Sequence, residues 1–322
     1  MILWLVGVVG VCLVALVAVY VFTPWPRALH MRYGFDEDGD QTAQKLAPYV
    51  PTGVAAILNE RYDSSNADVA LDVYHPEGSQ SRTTVVWVHG GGWLAGNKQQ
   101  MGNYARILAG RGFTVAVIDY SLAPGATYPT QVRQVNTALG YLVRNAQRLG
   151  IDPSHLVLAG DSAGTQIALQ VATLILQPAY AQTMGIQPTI ARDRLAGLLL
   201  YCGIYRMEKE DEEISVLATE YWSYSGTRNF LRDPHFATAW VMDRVNGDYP
   251  PAFISVGNAD HLRPQSIALA DALEKNGVRV DRLIFPADHT PKLPHEYQFE
   301  FERPEAKQAL DRSVAFLESL GR

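Results

Sequence analysis

The chain has 322 residues, 48% hydrophobic and 19% charged, with a formal net charge of −6 at pH 7. That composition supplies a core and excludes a disordered chain, and the acidic balance without a basic run gives no electrostatic reason to bind nucleic acid. The length suits one large α/β domain rather than two. The two cysteines, Cys12 and Cys202, have neither a disulfide mate nor zinc-ligand spacing, so no metal site is expected and the redox compartment stays open.

Residues 1–26 carry no charge, and the stretch from Ile2 to Phe22 is almost wholly aliphatic. A helix of about 21 residues is about 32 Å long, which matches a hydrocarbon core of about 30 Å. Trp4, Tyr20 and Trp25 lie near its ends, as interfacial anchors do. A basic n-region and an Ala-x-Ala-like site are both missing, so the segment reads as a retained single-pass anchor in a lipid bilayer and not as a signal peptide. Arg27 and Arg32 follow it, which by the positive-inside tendency puts the remainder of the chain in the cytoplasm. Residues 27–54, rich in Pro, Gly and acid, read as a juxtamembrane linker with a short helix near 42–46.

From 55 to 322, strand and helix patterns alternate. Strand-like runs fall at 55–62, 69–74, 83–88, 113–118, 156–160, 196–202, 252–256 and 280–285, with helical spacing of apolar residues between several of them and a last helix at 304–320. This alternation predicts an α/β fold: a mainly parallel, eight-stranded sheet with helices on both faces. One segment, about 204–250, breaks the rhythm. It holds the acidic run Glu208–Glu213, which reads as a solvated helix face, and then Tyr221, Trp222, Tyr224, Phe230, Phe236 and Trp240.

Two motifs carry chemistry. The third run leads into His89-Gly90-Gly91-Gly92-Trp93, whose consecutive glycines leave amide N–H groups free to face one anion. The fifth leads into Gly160-Asp161-Ser162-Ala163-Gly164, a strand-to-helix corner that holds a serine hydroxyl clear of its neighbours. A phosphate-binding reading of the glycines is disfavoured, because neither Gly-Lys-Ser/Thr nor Gly-x-Gly-x-x-Gly is present. A serine nucleophile also needs an imidazole to take its proton and a carboxylate to orient that imidazole.

With these motifs, and with Asp119-Tyr120-Ser121-Leu122-Ala123-Pro124 followed by Tyr128-Pro129, the chain resembles the hormone-sensitive-lipase-like carboxylesterases of the α/β-hydrolase superfamily. Ser121 stands where that group usually has arginine. The likeness runs from roughly Asp68 to Leu320. It implies an α/β-hydrolase fold, an acyl-enzyme mechanism on small-molecule carboxylic esters, no cofactor, and a cap over the site built partly from 204–250, whose aromatics would either line the pocket or form the cap's own core. It implies backbone donors at Gly91, Gly92 and Ala163, and a loop-orienting role for His89. Asp260, in Gly257-Asn258-Ala259-Asp260-His261-Leu262-Arg263-Pro264, matches the family's acid, with His261 and Pro264 as departures. For the base, His289 lies nearer the last strand, whereas Pro294-His295-Glu296-Tyr297 is closer to the family's Pro-His-Gly-Phe. His295 is the first choice and His289 the second. Formamidase or amidase chemistry with the same triad, and a non-catalytic binding module, are the alternative readings; the oligomeric state is not legible.

Overall fold

The computed structural model describes residues 2–66, 68–78, 83–209 and 215–321. In chain order the elements are α1 (Ile2–Phe22), α2 (Trp25–Leu46), β1 (Val54–Glu60), β2 (Leu71–Pro76), β3 (Thr84–Val88), α3 (Lys98–Ala109), β4 (Thr114–Ile118), α4 (Thr130–Arg144), α5 (Ala146–Leu149), β5 (Leu156–Asp161), α6 (Ala163–Leu176), α7 (Pro178–Met184), β6 (Leu195–Tyr201), α8 (Ser215–Ser225), β7 (Ala252–Val256), α9 (Arg263–Lys275), β8 (Val280–Ile284) and α10 (Pro304–Leu320). Every strand-like run has its counterpart, with ends displaced by at most two residues.

The eight strands form one sheet in the order β1-β2-β4-β3-β5-β6-β7-β8. β1 and β2 pair antiparallel and β2 meets β4 antiparallel; the remaining pairs are parallel. The inner strands are buried along their whole length, as a sheet covered on both faces requires. Their side chains alternate between two cores. Val86 and Val88 of β3 join Leu158, Leu198 and Ile254 beneath α4, α6 and α9, while Val85 and Trp87 join Val157, Leu199 and Phe253 beneath α3 and α10. Parallel register brings the carboxyl ends of β3, β5, β6 and β7 to one edge, with Val88 opposite Gly160, Asp161 opposite Tyr201, and Tyr201 opposite Ser255. Crevices at such an edge are the usual ligand sites of open α/β sheets.

The stretch expected as a linker folds differently. Residues from Trp25 to Leu46 form one 22-residue helix, α2. Pro26 falls in its first turn, where the missing N–H costs nothing. Gly34 and Gly39 in its interior disfavour helix by about 1 kcal/mol each, and tertiary contacts offset them. Ala28 and Leu46 are buried. The Arg32 guanidinium donates to the carbonyls of Leu94 (2.5 Å) and Ala123 (2.8 Å), and the Asp36 carboxylate accepts from the Gly96 amide at 3.0 Å. Gln100 donates to the Asp36 carbonyl and the Asp40 carboxylate, and Asn103 to the Ala43 carbonyl. A Cβ at Gly39 would stand 2.7 Å from Gln100 Oε1, the far end of a side chain that reaches across from α3. These are long-range contacts, which local composition does not reveal.

α1 is apolar and exposed: Trp4, Val11, Val14, Leu16 and Phe22 all face outward. Among the described residues no single helix is long and apolar enough to cross a membrane; Val8–Phe22 and Trp25–Tyr49 pass that test only as a pair, bent by 69° at the break. Pro24 sits in that break.

Between β6 and β7 the described residues form α8 and short 3₁₀ turns at 230–232, 236–239 and 242–244. Of the acidic run, residues 210–213 lie outside the described residues. The aromatics of this cap pack mainly on one another. Tyr221 meets Phe230 and Trp240, and Tyr224 and Trp240 both meet Phe236. They form the cap's own core.

Candidate active site

Ser162 follows β5 directly and precedes the first residue of α6, with φ 47° and ψ −122°. That conformation is strained for a residue with a Cβ and is held by its surroundings. The Ser162 amide donates to the Tyr201 carbonyl at 3.0 Å, and the Ser162 carbonyl accepts from the Thr165 amide and hydroxyl. The corner fits only because its flanks lack side chains. A Cβ at Gly160 would stand 2.7 Å from the Val88 carbonyl oxygen, and one at Gly164 would stand 2.0 Å from it.

The glycine loop lies beside this corner and is fixed from several directions. Gly91 and Gly92 adopt φ 94° and 59°, the left-handed region that favours glycine. The Asp161 carboxylate accepts from the Gly90 amide (2.9 Å) and from Trp87 Nε1 (2.7 Å). The Tyr120 hydroxyl donates toward the carbonyls of His89 and Gly90, which gives the Asp119–Pro124 motif its structural meaning. His89 is buried, stacks on the Tyr120 ring at 4.3 Å and donates through Nδ1 to the Gly90 carbonyl at 2.9 Å. Burial lowers its pKa, so its imidazole is neutral. Trp93 stacks on Tyr224 at 4.6 Å and donates to Gln166 Oε1, tying the loop to the cap and to α6. Among the described residues, the amides of Gly91, Gly92 and Ala163 have no protein acceptor.

Past β7, the Asp260 carboxylate is fully buried and divided between two donors. One oxygen accepts from the Leu262 amide at 2.7 Å, steadying the approach to α9, and the other lies 2.9 Å from His295 Nδ1. His289 is elsewhere, its Nε2 lying 2.9 Å from Glu305 Oε1 and its ring against Phe285. Two further groups crowd His295. The Cys202 sulfur lies with the Asp260 and His295 ligand atoms inside 4.8 Å. Glu296 Oε1 lies 3.7 Å from His295 Nε2. Burial disfavours the protonated imidazole, but hydrogen bonding to Asp260 and to the Cys202 sulfur, with the Glu296 carboxylate nearby, holds His295 well above the ordinary histidine value. Cys202 itself is a neutral thiol, pushed up to about 12 by burial.

Ser162, Gly91, Gly92, Ala163 and His295 line one cavity of about 520 Å³; His289 does not. Comparison with known proteins agrees with this architecture. The family model described as alpha/beta hydrolase fold matches residues 85–297. The chain belongs to this family. Within it, the chain falls in the hormone-sensitive-lipase-like carboxylesterase group. It is 30% identical over 260 residues to a carboxylesterase of Mycobacterium tuberculosis, covering 78% of each chain. It is 28% identical over 221 residues to a protein of Acanthamoeba polyphaga mimivirus named for the same fold, covering 66% of this chain and 62% of that one. Among solved structures, esterase B from Lactobacillus rhamnosis superposes with a TM-score of 0.76 at 26% identity, over 90% of this chain and 96% of that one.

Several residues at this hydrolase's site escaped the sequence reading. Cys202 directly follows β6, between the strands that deliver Ser162 and Asp260; sheet order is the signal that places it beside the site. α2 supplies Phe35, Asp38, Thr42 and Lys45 to the cavity wall. From the cap, α8 contributes Leu217 and Glu220 in place of the aromatics. Glu296 occupies φ 59°, where the family has glycine, and its carboxylate opposes Asp161, which burial and this neighbour push up to about 7.

Proposed function

We propose that this hydrolase cleaves carboxylic esters with Ser162 as nucleophile, His295 as general base and Asp260 as its orienting acid. That the chain is a carboxylic ester hydrolase rests on its family and its relatives. The assignment of roles rests on one observation: Ser162, the glycine loop and a histidine already bonded through Nδ1 to a buried carboxylate share one cavity. With Nδ1 held by Asp260, Nε2 is the nitrogen available to take the Ser162 proton. The hydroxyl oxygen then attacks the ester carbonyl, and the amides of Gly91, Gly92 and Ala163 donate to the oxyanion. Each such donor is worth about 3–4 kcal/mol to the transition state, and the N-terminus of α6 adds to the field at Ala163. His295 passes the proton to the leaving alcohol and then activates a water that releases the acyl group. Hydrolysis of p-nitrophenyl acetate together with fluorophosphonate labelling tests the assignment; a folded protein inert to both would overturn it.

The charge around His295 carries a pH expectation. A general base works deprotonated, so kcat/KM rises with pH through the His295 pKa, and a raised pKa moves that limb to higher pH. Glu296→Gln removes one anion 3.7 Å from Nε2. Because Glu296 is partly exposed, the limb should move down by only ~0.2–0.7 unit. A limb that stays in place or moves up would remove Glu296 from this account.

We further propose that α1 anchors the hydrolase to a lipid bilayer, supported by its exposed apolar surface. By the tendency of Arg27 and Arg32 we take the catalytic domain to be cytoplasmic. Deleting residues 1–24 is expected to give a soluble enzyme with activity within about twofold of the full chain in detergent. Deleting 1–46 removes α2 from the cavity wall and should lower kcat/KM by about tenfold or more, since misplacing a substrate-positioning wall has effects of that order. Equal activity of the two truncations would show α2 to be dispensable.

A further inference from the structure

One buried carboxyl at this cavity has no use in the mechanism above. Glu220 lies near the middle of α8 and is only 6% exposed, yet its carboxyl faces the cavity rather than a protein donor. Among the described residues, none donates a hydrogen bond to it. Its Oε1 rests against the glycine loop, where a Cβ on Gly92 would stand 2.4 Å away. Burial raises its pKa to about 8, with His295 the charged group that partly opposes the shift. An unpaired buried carboxyl destabilises a fold, and an apolar residue of similar size would serve the cap better. Other walls of the cavity repeat the sign: Asp38 of α2, Glu296 and Glu300 line it, against Lys45 as the one lysine or arginine there among the described residues.

We propose that Glu220 is a specificity residue that receives a cationic group of the substrate, so that the hydrolase prefers esters bearing an ammonium group near the scissile bond. This rests on the ester-hydrolase reading. A cation seated there supplies the partner that the carboxyl lacks, and the charged pair forms in a water-poor pocket where it is worth more than at the surface. Its place beside Gly92 puts the cation within a few atoms of the carbonyl that the glycine loop would hold.

Two isosteric pairs test this. One compares 2-(trimethylammonio)ethyl acetate with 3,3-dimethylbutyl acetate; the other carries the ammonium, or its tert-butyl isostere, at the end of the acyl chain of an ethyl ester. The full-length enzyme in detergent is expected to favour the cation in kcat/KM by about tenfold or more in at least one pair. Glu220→Gln and Glu220→Leu should bring that ratio close to one. Both variants are checked for folding by circular dichroism, and either suffices; the leucine variant, free of the buried carboxyl, should be no less stable than the parent. A ratio near one for the parent in both pairs overturns the proposal. So does a ratio that survives in the variants, including the case in which both members of a pair slow equally because Glu220 only donates a proton to the reaction. Should neutral and cationic esters alike resist hydrolysis, the ester-hydrolase reading fails separately. Calorimetric titration with choline then decides: binding weakened about tenfold or more by Glu220→Gln upholds the cation site, and undiminished or absent binding removes it.

Discussion

Ser162→Ala is expected to abolish covalent labelling by a fluorophosphonate probe and to lower ester turnover by about 10⁶, the scale seen when a serine-hydrolase nucleophile is removed. The substitution is a clean one here. Alanine keeps the Cβ, so the backbone strain at φ 47° is unchanged, and the Ser162 amide still donates to Tyr201. Stability should therefore hold within about 0.5 kcal/mol, and the loss of turnover reports on the hydroxyl alone. Labelling at the parental rate, or turnover within about a hundredfold, would move the nucleophile elsewhere.

The strands were legible because their signals are local. Apolar runs such as residues 83–88 and 156–160 are too short for a typical helix and fit fully buried inner strands. The elbow and the glycine loop were legible for a related reason: Gly160, Gly164, Gly91 and Gly92 each occupy a place where a Cβ would strike backbone or a neighbouring side chain, so the chemistry is written as glycine. What was hidden depends on distant contacts. α2 looks like a linker by composition, and it is a helix because Arg32, Asp36 and Gly39 meet residues some 60 to 90 positions away. Glu220 and Glu296 read as ordinary surface acids until topology sets them opposite Gly92 and Asp161.

The same limit explains why one loop offered two histidines. Distance from β8 favoured His289, and local pattern favoured His295. Only the fold shows that the loop after Phe285 continues past His289 before returning to the sheet edge. Asn258 clamps this loop, its amide donating to the His289 carbonyl at 2.9 Å and its oxygen accepting from the Leu293 amide at 2.9 Å. A loop held in this way presents its tip, Pro294-His295-Glu296, to the cavity.

His295→Ala should accordingly lower turnover by about 10⁶, close to the loss at Ser162, because nucleophile and base act as one unit. The double variant should be no worse than either single one, and Asp260→Asn should cost about 10⁴ by leaving the imidazole in the wrong tautomer. His289→Ala has a different signature. It removes the 2.9 Å contact with the largely buried Glu305 and the packing against Phe285, so it should cost about 1–2 kcal/mol of stability while turnover of the folded enzyme stays within tenfold. Thermal unfolding and p-nitrophenyl acetate turnover, measured on the same two alanine variants, separate the roles: one histidine should lower the melting temperature and the other the rate. If His289→Ala abolished hydrolysis while His295→Ala left it within tenfold of the parent, the base would be His289, and the Asp260–His295 pair would be a structural tie between the loops that follow β7 and β8.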